Sequence, residues 1–96
     1  MANLEVELVA ADRMVWSGEA RVVSAPAADG DIGILPGHAP VLAVLRAGTV
    51  RITDVNGGVH AVVVDAGFLS VDSDHVSVVV DTAHGNDATT APAARR

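Results

Sequence analysis

The chain has 96 residues, half of them apolar, with 12 acidic against 6 basic side chains, a formal net charge of −6 and no cysteine. That length allows one core two layers deep and excludes two cores or a large internal cofactor site. The acidic balance opposes nucleic acid and anionic lipid as partners, and without cysteine there are no disulfides, thiolate metal sites or cysteine nucleophiles. No basic stretch leads an apolar run in the first residues, and no apolar run approaches the roughly 20 residues of a membrane-spanning helix. Any link to a membrane is expected to run through a partner.

Leu4, Val6 and Leu8 alternate with Glu5 and Glu7, which predicts a half-buried strand with its carboxylates outward. Residues 21–25 and 31–35 read as further strands, the second interrupted by Gly33 and closed by Pro36, and residues 39–45 as a mostly apolar one. Val50 and Ile52 alternate with Thr49, Arg51 and Thr53. The Asn56-Gly57 pair tolerates the positive φ angles of a two-residue turn, so residues 51–55 are expected to pair antiparallel with residues 59–64. Residues 67–71 and 76–80 form another expected pair around Asp72, Ser73 and Asp74, with Val76, Val78 and Val80 on one face. Valine-rich runs with period two and regularly spaced turns predict an all-β sandwich of about eight to ten short strands. Residues 84–96 hold no apolar side chain larger than alanine, so a disordered tail is expected behind a domain of residues 1–83.

Candidate chemistry is sparse. No two of His38, His60, His75 and His84 lie three or four positions apart, so no local metal pair forms and no metal site is expected. His60, His75 and His84 read as solvent-facing. His38 differs, because Pro36 and Pro40 restrict the loop that carries it; a rigid loop presenting one imidazole suits a binding surface or a general base. The serines sit in no nucleophile elbow, and Gly30-Asp31-Ile32-Gly33 lacks the third glycine and the helix of a dinucleotide fingerprint. Asp29 and Asp31 read either as a carboxylate pair or as turn acids. The residues by themselves thus point to a small acidic β-sandwich acting as an interaction module. Catalytic, cofactor-binding and metal residues are expected to be none.

The run GDIGILPGHAP over residues 30–40, followed by apolar residues to Leu45 and by AGTVRI, resembles the signature of the epsilon subunit of F-type ATP synthases. LVAADRMVWSGEA, EARVVSAPAADGD, GFLSV and HVSVVVDTA agree with the family in order, so the resemblance covers residues 4–83. It implies a flattened sandwich of about ten short antiparallel strands and a non-catalytic central-stalk subunit without cofactor, which couples proton-driven rotation to ATP synthesis. The implied partners are the gamma subunit and the polar loops of the c-ring. The implied location is the cytoplasmic side of the cell membrane, held peripherally through the complex, with no nucleic acid bound. Carried over by position, Asp29, Gly30 and Asp31 face the c-ring, and His38, Ala39, Pro40, Val41 and Leu42 face gamma. The family's two-helix C-terminal domain has no counterpart after residues 81–83, so a short form is expected, and neither inhibition by helix extension nor ATP binding is carried over. Two other readings stand beside this one: a free-standing interaction sandwich outside the synthase, and a small hydrolase using His38 with a nearby aspartate.

Overall fold

A computed structural model of the chain describes residues 3–11 and 13–85, with side chains through Ala83. The described residues form nine strands and no helix: β1 (Leu4–Ala10), β2 (Arg13–Ala27), β3 (Gly30–Ile34), β4 (Val41–Leu45), β5 (Gly48–Asp54), β6 (Val59–Val64), β7 (Gly67–Asp72), β8 (His75–Val80) and β9 (Ala83–Gly85). β2 runs for 15 residues and serves two sheets. Its first part pairs with β1, and its second part with β5 and β3. One sheet therefore runs β2-β1-β8-β7-β4 and the other β3-β2-β5-β6-β9. A single pair, Ala27 with Leu45, joins the end of β2 to β4. The molecule is flattened, with extents of 34 × 32 × 23 Å.

Strand alternation places the core where the valine pattern puts it. Leu4, Val6, Leu8 and Ala10 of β1, Val50 and Ile52 of β5, Leu69 and Val71 of β7, and Val76, Val78 and Val80 of β8 are all buried between the sheets. Among the described residues no polar side chain is buried. Burying one such valine or leucine is worth about 1.5–3 kcal/mol, so this continuous cluster is what holds the two layers together.

The structure corrects the sequence reading in several places. β2 begins at Arg13 instead of near residue 21. The register between β1 and β2 shifts between Leu8 and Val9, so that Val15 has no partner and both Val15 and Trp16 pack against the core. This bulge breaks the alternation that would have revealed the strand. The pairing is not wholly antiparallel, since β1 and β8 run parallel. The β5–β6 hairpin forms, but not through a two-residue turn on Asn56-Gly57. Gly57 N–H donates to Asp54 O, Asp54 N–H donates to Gly58 O, and only Gly57 of the pair has positive φ, at 90°. That is the three-residue loop in which a left-handed glycine follows an ordinary turn. The turn with both central residues left-handed is instead Ser73-Asp74, at φ 52° and 65°, between the paired Asp72 and His75. At the C-terminal end the backbone of His84 and Gly85 pairs with Val63 and Val62 of β6, so strand structure runs two residues past the expected boundary. The rest of the expected tail, residues 86–96, lies outside the described residues.

Candidate functional site

The two groups of residues assigned to partners by resemblance come together in part. Asp29, Gly30 and Asp31 lie at the β2–β3 turn, while Val41 and Leu42 open β4. All five line one groove of about 510 Å³, together with Ile32 and Ala43, whereas His38, Ala39 and Pro40 do not line it. Gly30 has φ of 137°, a backbone conformation that side-chain-bearing residues rarely adopt, which explains glycine where β3 leaves this turn. Asp29 and Asp31 are exposed.

Asp31 is already engaged within the chain. Arg46 reaches over from the end of β4, its Nε–H donating to Ala27 O at 3.1 Å and a terminal N–H to Asp31 Oδ1 at 3.2 Å. Both members of this ion pair are more than half exposed, so it is worth about 0–1 kcal/mol and a competing cation can displace it. Asp29 is thus an acid of the tight turn and Asp31 one of the strand that follows it, the latter tied down by an arginine that the sequence reading did not single out.

His38 sits half-buried in the loop between β3 and β4. Its Nδ1 lies 2.7 Å from Ala39 O, a contact in which only the ring can donate. Gly37, with φ of 87°, donates its N–H to Asp74 Oδ1 at 2.7 Å. Asp74 also accepts the Glu5 N–H at its main-chain oxygen. The left-handed turn after β7 therefore anchors the loop that presents His38. His38 is bonded to the Ala39 carbonyl and Asp74 to the Gly37 amide, and no carboxylate is paired with the His38 ring among the described residues, so the geometry gives the hydrolase reading no support. Among the described residues no group of three or more His, Asp and Glu is placed to hold a metal ion.

Leu42 is the most exposed large apolar residue described, at 74%, and it is not isolated. Val44 pairs with Phe68, Phe68 with Val79, Val79 with Val9, and Val9 with Met14. Directly opposed residues point to the same face, so these side chains form one apolar row across five adjacent strands, on the outside of the first sheet. Each is exposed except Val9, which is half-exposed. A contiguous exposed apolar strip of this kind marks an interaction surface. The positions were visible in the sequence, but only the register across β4, β7, β8, β1 and β2 aligns them.

His60 is not the solvent-facing residue expected. Its Nε2 lies 2.8 Å from Asp54 Oδ2, its ring packs on Trp16 at 5.1 Å between centroids, and both His60 and Asp54 are 21% exposed. Asp54 also accepts the N–H groups of Asn56 and Gly58. The His60 hydrogen bond is the main cause that holds the Asp54 carboxyl below its ordinary range; desolvation, next in size, opposes it, and the Gly58 and Asn56 amides reinforce it. This cluster closes the β5–β6 hairpin. His75 is exposed on the outer face, 3.8 Å from both Glu5 and Glu7.

Comparison with known proteins agrees with this architecture. The family described as ATP synthase, Delta/Epsilon chain, beta-sandwich domain matches residues 3–86. The chain is 50% identical over 82 residues to the ATP synthase epsilon chain of Streptomyces griseus, covering 85% of this chain and 66% of that one. It is 46% identical over 91 residues to the epsilon chain of Micrococcus luteus, covering 95% of this chain and the whole of that one. The chain thus spans about two thirds of the length of the first relative and the full length of the second. Among solved structures, a chain in the cryo-EM structure of the Euglena gracilis mitochondrial ATP synthase (OSCP/F1/c-ring) superposes with a TM-score of 0.82 at 20% identity, covering 88% of this chain and 54% of that one. At that identity the likeness speaks for the fold alone.

Proposed function

Because the chain belongs to the family of ATP synthase delta and epsilon chains, as its β-sandwich domain, we propose that it is a non-catalytic central-stalk subunit that couples rotation of the c-ring to the gamma subunit. The observation that carries this reading is the apolar row. A domain whose buried core is already complete still exposes Leu42, Val44, Phe68, Val79 and Met14 on one face, next to the loop bearing His38. Such a strip has the composition of the centre of an interface, where burial supplies most of the affinity.

Gamma is assigned to this row and to the segment of His38, Ala39, Pro40, Val41 and Leu42. The c-ring loops are assigned to the exposed turn of Asp29, Gly30 and Asp31, which lines the groove. An acidic turn suits basic or amide groups of a partner loop, and because Arg46 already neutralises Asp31, that contact sets register more than affinity. The complex holds the chain at the cytoplasmic side of the cell membrane as a peripheral subunit. Because β9 carries the second sheet through Gly85, the domain is taken to run to that residue instead of ending at residue 83.

Titration of the chain with the gamma subunit of the same organism tests the reading. Saturable one-to-one binding supports it. A folded chain that does not bind gamma supports the free-standing interaction module instead.

A further inference from the structure

The outer face of the first sheet is graded from apolar to acidic in three successive rows. The first is the apolar row of Met14, Val9, Val79, Phe68 and Val44. Two residues along β1, β8, β7 and β4, about 7 Å away, and three along β2 because of its bulge, comes a second row of Ser17, Glu7, Ser77 and Ser70, ending on Leu42. The third row is Glu19, Glu5, His75 and Asp72. Around Glu5, Glu7 and Glu19 the surface dips in a shallow depression of about 240 Å³.

These carboxylates are poorly compensated in the free chain. Glu5 and Glu19 are directly paired across β1 and β2, a like-charge opposition that destabilises a sheet. Their polar contacts are His75, at 3.8 Å from Glu5, and the Asn3 amide, at 3.5 Å from Glu19. Glu7 shares the same imidazole, at 3.8 Å, so one histidine faces two carboxylates. A cation brought by a partner relieves that repulsion as well as gaining its own attraction, and the acids lie in a line parallel to the apolar row.

On this basis, and resting on the stalk reading above, we infer that the face receives an amphipathic helix of the gamma subunit, with an apolar ridge along the first row and Lys or Arg side chains on the flank over Glu5, Glu7 and Glu19. The dimensions suit such an occupant. The apolar row crosses four strand spacings, about 19 Å, which is about 13 residues of helix. One ridge side chain per turn recurs every 5.4 Å or so, close to the strand spacing of about 4.8 Å. A helix so placed has only one orientation about its own axis that puts its basic flank over the acids, so the gradient selects orientation as well as partner.

Stopped-flow association of the intact chain with gamma, at low and high salt, tests this. Glu5→Lys/Glu7→Lys/Glu19→Lys is compared with the milder triple glutamine variant and with Phe68→Ser. These side chains lie on the outer face, and unchanged circular dichroism verifies the fold. Flanking charges act mainly on the association rate, so the lysine variant is expected to associate at least about tenfold more slowly at low salt, with the salt dependence lost or inverted. The glutamine variant should fall between it and the wild type, and Phe68→Ser should chiefly speed dissociation. Wild-type binding with an association rate indifferent to all three charges would overturn the inference and leave the stalk reading standing. No wild-type binding to gamma would remove both.

Discussion

Asp54 accepts hydrogen bonds from His60, Asn56 and Gly58, and its carboxyl is correspondingly held below the usual carboxylate range. A folded-state value below the unfolded one, about 3.9, means that its contribution is fully present above the unfolded value and is lost as pH falls through the folded one. Asp54→Ala strands two backbone donors and an imidazole, and is expected to cost about 1–2 kcal/mol at neutral pH. Denaturant unfolding of both proteins should show that difference shrinking below about pH 4; a difference independent of pH would contradict the assignment. At Asp74, the change to alanine removes the acceptor for Gly37 N–H and leaves a left-handed turn position without the residue type that tolerates it. Amide exchange at Gly37 and His38 should quicken, with about 1 kcal/mol lost overall. None of these bonds was legible from the chain alone. His60 and Asp54 are six positions apart, and Asp74 and Gly37 thirty-seven. The composition of the 36–40 loop announced a rigid segment but not what pins it.

Strands were most legible where one face is buried and the other wet, as in β1, β5 and β8, because alternation then follows directly from the pleat. β2 was least legible, since its bulge at Val15 puts two core-packed residues side by side and its length serves two sheets. The Asn56-Gly57 signal located a hairpin correctly and mistook its turn, because a glycine with positive φ serves both the two-residue and the three-residue loop. Gly67 shows how tightly β7 and β8 approach. A Cβ there would lie 2.8 Å from Val80 Cα and closer still to the Val79 carbonyl oxygen, both of them backbone atoms that cannot swing aside. Gly67→Ala is therefore expected to destabilise the fold by about 1–3 kcal/mol. Thermal unfolding measures this, and an unchanged midpoint would show that the strands can separate without cost.

The sandwich carries a continuous apolar row on the outer face of its first sheet. Its core needs nothing more, yet Leu42, Val44, Phe68, Val79 and Met14 remain outside, each at least half exposed. Composition could say that the chain was an interaction module, and the run over residues 30–40 could point to a family, but only the strand register aligns Met14, Val9, Val79, Phe68 and Val44, from five strands, into one row with Leu42 beside it. The measurement to make is calorimetric titration of gamma with the wild-type chain and with Leu42→Asp/Phe68→Asp, both verified as folded. Charges placed in the centre of an apolar interface cost at least about 2 kcal/mol, a loss of about 30-fold. Saturable wild-type binding that the double variant weakens by at least that factor is the predicted result. Equal binding by both proteins, or none by the folded wild type, would contradict the assignment of this face to gamma.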